Sequence, residues 1–157
     1  MIEQLFNAIR NRETETVKKL LNEHPNLVQE KDAKGFSPLV FATYFGWEDI
    51  AEIILAYPQD INTRDAAGNT ALMGVCFKGR KDLAQLLLNH GATVDAQNKM
   101  GDTALMFAVK FGHENITRLL LENGADSTLK NQQNLTALDF AKQANATILM
   151  EILQQHG

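Results

Sequence analysis

Thiol chemistry is almost absent from this chain: Cys76 is the only cysteine among 157 residues. No intrachain disulfide can form and no thiolate cluster can hold a metal, which suits a reducing compartment. Long apolar runs are missing too. Runs such as Ile53 to Ala56 fall far short of the ~20 residues needed to span a bilayer. There is no basic excess either. Fifteen Lys and Arg stand against nineteen Asp and Glu, a formal net charge of -4. That balance argues against a chain whose main task is clamping nucleic acid, while leaving room for a local basic stripe. The opening MIEQLFNAIRNRETE places acidic and amide residues where a signal peptide needs a basic start and an apolar run. The chain is therefore expected to be cytoplasmic and complete as written. Apolar residues at 45% and charged residues at 22% match a soluble globular protein and not a disordered tail.

What the sequence does have is self-similarity. Gly35, Gly68 and Gly101 are each 33 residues apart, as are Gly46, Gly79 and Gly112, and again Gly91, Gly124 and Gly157. Leu39, Leu72, Leu105 and Leu138 keep the same step. The fourth members of the first two columns are Asn134 and Asn145. Asn is the non-glycine residue that best tolerates positive φ, so both columns read as left-handed backbone, one in a turn and one ending a helix. Pro25 and Pro58 stand in the third column where later units carry Gly. Proline cannot adopt positive φ, so the chain must leave those two helices differently.

Between the glycines the pattern is helical. Ser37 is a good N-cap followed by Pro38 at the first helical position, and Thr70, Thr103 and Thr136 occupy the same capping place. A second helix follows the second glycine, with Ile50, Ile53 and Ile54, then Leu83, Leu86 and Leu87, then Ile116, Leu119 and Leu120 at i, i+3, i+4. Each unit is thus a turn and two short antiparallel helices. Neither helix can bury its stripe alone, so units must stack into an all-α solenoid.

The segments GFSPLVFA, GNTALMGV, GDTALMFA and NLTALDFA resemble the ankyrin repeat, whose period is 33 residues and whose signature runs close to G-x-T-P-L-H-x-A. FGHENITRLLLENGAD, from Phe111 to Asp126, is similar to the later part of that repeat. The TALM style of the middle units also resembles small bacterial members. The resemblance covers the whole chain as a single domain of five units, 1–31, 32–64, 65–97, 98–130 and 131–157. It implies stacked helix-turn-helix repeats joined by β-turn, hairpin-like connections. The family's signature histidine, which ties neighbouring units together, is replaced by Val40, Met73, Met106 and Asp139. Fewer polar ties between units are therefore expected. The end units read as caps, with Glu3, Gln4, Asn7 and Arg10 on the outer face at one end and Glu151, Gln154 and Gln155 at the other. Nine residues from Ala8 to Val17, against eight from Ala42 to Ile50, predict a longer inter-helix turn in the first unit.

Catalytic constellations come only as near misses. Gly74 to Lys81 has P-loop glycine spacing without the Lys-Ser/Thr, and it crosses a helix end instead of following a strand. His113-Glu114 begins like a zinc-protease helix, but Thr117 stands where the second histidine belongs. His113 fits the Gly-His pair that opens the second helix in ankyrin units. Cys76 sits where a small buried residue is expected and has no neighbouring histidine in register, which marks an inert thiol. Ser37 and Ser127 lack a nucleophile elbow. Asp139 reads as a local hydrogen-bonding residue. The chain is read as a non-enzyme with no cofactor and no metal site.

The resemblance further implies that turn tips and first helices line a concave groove where partners bind. The matching tip positions are Lys34, Phe36, Ala66, Asn69, Lys99, Met100, Asp102 and Leu135. The exposed ends of the first helices supply Tyr44, Phe45, Phe77, Lys78, Lys110, Phe111 and Gln143, with Trp47 and Arg80 just beyond. Aromatic and basic residues together are the usual composition of interface hot spots. They point to a protein partner with an apolar anchor and an acidic rim, engaged by a monomeric adaptor, regulator or inhibitor. Phe45 and Phe111 share one register and could equally be packing between units. Tyr44 and Phe77 share a register with Lys110 and Gln143, which favours surface. Single-stranded nucleic acid held by Lys34, Lys78, Arg80, Lys99 and Lys110 with aromatic stacking, or a small ligand in the same groove, is the alternative.

Overall fold

The computed structural model describes residues 1–156; Gly157, the last member of the third glycine column, lies outside them. Ten α-helices and no strand are found among the described residues. They come in pairs: α1 (Ile2–Arg10) with α2 (Thr14–Glu23), α3 (Pro38–Phe45) with α4 (Glu48–Leu55), and α5 (Ala71–Lys78) with α6 (Lys81–Asn89). The remaining pairs are α7 (Ala104–Lys110) with α8 (Glu114–Glu122) and α9 (Ala137–Gln143) with α10 (Thr147–His156). Odd-numbered helices pack on one another as one row and even-numbered helices as a second. The core lies between the rows. Leu39, Leu72 and Leu105 are buried there, whereas Leu138 in the last pair is only partly covered because no further pair follows. The chain is an all-α repeat solenoid.

The local chemistry explains why these segments become helices. Ser37, Thr70, Thr103 and Thr136 each accept a hydrogen bond from the backbone N–H three residues on, at 3.2–3.4 Å, which satisfies one of the donors that a helix start leaves open. Asp139 completes a reciprocal box by accepting from the Thr136 N–H at 2.9 Å. Those bonds hold its carboxyl below the ordinary aspartate range. At the tips, Asp32, Asp65, Asn98 and Asn131 each accept two backbone N–H groups, two and four residues on, at 2.9–3.0 Å. The turn is thereby closed by its own first side chain.

Every odd helix ends in a left-handed residue. Gly46, Gly79 and Gly112 have φ of 80°, 77° and 77°, Asn145 has 53°, and in the first pair Arg12 has 55°. After each one the chain makes the same closing bond, from Glu13, Trp47, Arg80, His113 and Ala146 back to Ala8, Ala42, Val75, Ala108 and Ala141, at 2.8–3.0 Å. The first inter-helix turn is therefore as long as the others, contrary to the expectation from Ala8 to Val17. Val17 corresponds to Ala51, since both donate to the residue that closes the turn, Glu13 and Trp47. The additional residue falls later, where α2 runs into a 3-10 turn at Pro25–Gln29.

The expected scarcity of polar ties does not hold either. The ties exist at other places. Tip bonds run from the Ala66, Lys99 and Gln132 N–H to the Lys34, Ala67 and Met100 carbonyls. Lys31, Arg64 and Gln97 each donate a side-chain N–H to the carbonyl 33 residues on, at 2.7–3.1 Å. Asn98 and Asn131 donate to Asn69 and Asp102, 29 residues back in the preceding unit.

A Cβ on Gly79 would stand 2.6 Å from the His113 ring, in a backbone region costly for side chains. Gly79→Ala is expected to lower stability by about 1–3 kcal/mol, read as an earlier midpoint in urea denaturation. A chain ending at Lys130 would uncover the faces of α7 and α8 that pack on α9 and α10. It is expected to aggregate or to lose its cooperative melt, and a soluble truncation with a sharp thermal transition would overturn the capping role of the last pair.

Candidate functional site

The tips and the odd helices enclose a groove of about 870 Å³ lined by residues of the first four odd helices and the tips before α3 and α5. Of the expected site residues, Lys34, Phe36, Tyr44, Phe45, Asn69, Phe77 and Lys78 lie on its wall. Tyr44, Phe77, Met100 and Phe111 are 56%, 45%, 53% and 44% exposed, large apolar surface left uncovered by the stacking. Phe36 and Phe45 are half-buried. Met100, Lys99, Lys110 and Phe111 belong to the tip before α7 and to the end of that helix, outside the groove proper.

Two aromatic clusters form along the odd helices. Phe41 lies 4.5 Å from Phe6, 6.5 Å from Phe36 and 5.9 Å from Phe45, measured between ring centroids, and Tyr44 meets Phe45 edge-on at 5.2 Å. In the second cluster Phe77 meets Phe111 at 4.5 Å and Phe107 at 6.3 Å, both edge-to-face. Cations cap these rings: Lys78 Nζ stands 4.0 Å over Tyr44, and the Arg10 guanidinium 5.6 Å over Phe41. Lys110 Nζ lies 5.9 Å from Phe111 and 5.5 Å from Phe140. The shared register of Phe45 and Phe111 hides two fates. Phe45 packs within its cluster and stacks on Trp47 at 6.3 Å, while Phe111 leans on Phe77 with its other face in solvent.

Arg80 and Trp47 are placed between helix pairs. Arg80 Nη2 donates to the Tyr44 carbonyl at 3.1 Å, and a Cβ on Gly46 would lie 2.5 Å from Nη1. His113 repeats the arrangement one step on, with Nε2 3.0 Å from the Phe77 carbonyl and its ring against Gly79. Trp47 stands in the same register beneath Arg12, whose guanidinium lies 4.6 Å from the indole and 3.5 Å from Asp49. In each case one unit's side chain covers the left-handed residue of the unit before.

Arg10, Phe41, Met73, Gly74 and Phe107 also line the groove and were not anticipated as site residues. Two signals could have found them. Arg10 precedes its left-handed residue by two positions, as Tyr44, Phe77, Lys110 and Gln143 do. Phe41, Phe107 and Phe140 form a 33-residue column whose second member is Gly74.

The groove contains no acid–base pair. Its carboxylates, Asp32 and Asp65, accept backbone N–H groups in their turns. The Cys76 thiol is fully buried, and desolvation pushes its pKa well above the ordinary value, so the nucleophilic thiolate is suppressed. Among the described residues no three His, Cys, Asp or Glu side chains gather as a metal site, and no helix is long and apolar enough to cross a membrane.

A repeat solenoid with an open aromatic groove defines a class of binding scaffold. A family model described as ankyrin repeats (3 copies) matches residues 4–65, 54–131 and 76–157. The chain therefore belongs to the ankyrin-repeat family, whose members are typically non-enzymatic protein–protein interaction modules. No curated protein matches the chain.

If Arg80 serves the stack, Arg80→Ala should lower the unfolding free energy by about 0.5–1.5 kcal/mol. Chemical denaturation reads this directly, and an unchanged midpoint would return Arg80 to the surface inventory.

Proposed function

We propose that this chain is a non-catalytic adaptor, regulator or inhibitor that binds another protein in the groove between the tips and the odd helices. The observation that carries this reading is the pairing of exposed rings, Tyr44 and Phe77, with cations on the same wall, Arg10, Lys34 and Lys78. Apolar contact in a desolvated groove supplies affinity, and the cations steer encounter with an acidic partner. Lys99, Met100, Lys110 and Phe111 extend the surface along the next tip and helix end. The partner presents an apolar anchor with a carboxylate-rich rim. The chain acts as a monomer in the cytoplasm, in keeping with a single cysteine held as a buried thiol.

The test compares wild type with a Tyr44→Ala/Phe77→Ala double variant of unchanged helical circular dichroism, as baits in a pull-down from the native source. Proteins held by wild type are expected to bind the double variant at least about tenfold more weakly when remeasured with purified components. Equal retention by both baits would move the binding surface to the even helices. Capture of RNA or single-stranded DNA, with affinity falling steeply as salt rises, would replace the protein partner with nucleic acid.

A further inference from the structure

Three of the five odd helices carry phenylalanine at one register, Phe41 in α3, Phe107 in α7 and Phe140 in α9, while α1 has Asn7 there and α5, between two of the three, has Gly74. Glycine in the middle of a helix lowers its stability relative to any ordinary side chain, and no close backbone approach requires it here. A Cβ built on Gly74 meets nothing within 4 Å. The residues around it are otherwise closed: Leu72, Met73, Val75 and Cys76 are all buried, while Gly74 itself is exposed. It forms part of the groove's wall together with Phe41 and Phe107. A ring is therefore missing from the phenylalanine column at the position where the groove opens.

We infer that this gap is an anchor subsite for one aromatic side chain of a partner peptide, flanked by Asp or Glu residues. This rests on the protein-binding reading of the groove and names the chemistry of its occupant. Three features favour an aromatic ring. Phenylalanine occupies the equivalent register in three other helices. Phe77 and Phe107 already stand edge-to-face at 6.3 Å and leave ring faces and edges for another such contact. Met73, which is buried and whose sulfur accepts the Thr70 N–H, adds an apolar side to the wall. The acidic flanks follow from charge. Arg10, Lys34 and Lys78 line the groove against two carboxylates, Asp32 and Asp65, and each of those has an oxygen engaged by two backbone N–H groups of its own turn. Cations on the wall therefore outnumber acids, in a chain whose net charge is -4.

The test fills the gap from the protein's own side. Gly74→Phe restores the column and is expected to melt no lower than wild type, while Gly74→Ala keeps the space open. Random 12-residue peptides displayed on phage are selected on wild type, and the enriched sequences are remeasured by fluorescence anisotropy as labelled synthetic peptides. Enriched peptides are expected to share one aromatic residue with acidic neighbours and to lose at least about tenfold in affinity on Gly74→Phe. Gly74→Ala should stay within about threefold of wild type. The Gly74 amide resonance gives a readout independent of either variant and should shift on peptide addition. Peptides that bind Gly74→Phe as tightly as wild type, yet fail on Tyr44→Ala/Phe77→Ala, would overturn the anchor and leave the groove reading standing. Enrichment without an aromatic residue, enrichment insensitive to both sets of substitutions, or no enrichment would also overturn it, whatever the native pull-down returns.

Discussion

Between the two helices of each pair the chain must reverse within three residues, and it does so by placing one residue in the left-handed region. Arg12, Gly46, Gly79, Gly112 and Asn145 all take this conformation, and each reversal is sealed by the same backbone bond. The rest of the stack is built on that reversal. It sets the two helices side by side, presents their apolar stripes to the neighbouring pairs, and leaves a small concavity of backbone that the next unit can cover. Arg80 and His113 cover Gly46 and Gly79 closely enough that a Cβ could not be added without displacing them. Where Ala146 follows Gly112 nothing comes within 4 Å of an added Cβ, because alanine cannot reach. Where Trp47 follows Arg12 the cover is a ring against a guanidinium, which is why a long side chain is tolerated there at positive φ.

That arrangement also frees the groove. Polar ties between units run through the tips and through Arg80 and His113 to the Tyr44 and Phe77 carbonyls, so the Tyr44 and Phe77 rings remain partly open to the groove. Tyr44 and Phe77 can be aromatic, and Gly74 can be empty, without loosening the stack. The left-handed residues with their covers and the proposed recognition surface occupy different registers of the same 33-residue period.

Much of this is legible in the amino-acid sequence. The glycine columns, with Asn134 and Asn145 as substitutes, announce the left-handed positions because few other residues tolerate them. Ser37 and the three threonines announce helix starts because their side-chain oxygens cap open N–H groups. Arg12 does not announce itself. An arginine at positive φ carries no compositional signal, and comparing Val17 with Ile50 makes the first turn look too long. The ties between units are hidden for another reason. The missing signature histidine suggests few of them, whereas the bonds that exist pair groups 29 to 36 residues apart whose geometry no local pattern encodes.

The sequence by itself determined the period, the helix pairs, the capping residues and membership of the ankyrin family, because each rests on local backbone preferences repeated at a fixed step. Only the tertiary structure decided which side chains serve the stack and which face solvent. Arg80 and Phe77 are close neighbours in sequence and both read as surface, yet one is engaged at the Tyr44 carbonyl and the other lies open on the groove. Exposure is a property of what the neighbouring helix pair covers. The interruption at Gly74 is visible as a letter, but it becomes a cavity only once Phe41 and Phe107 are brought to the same groove.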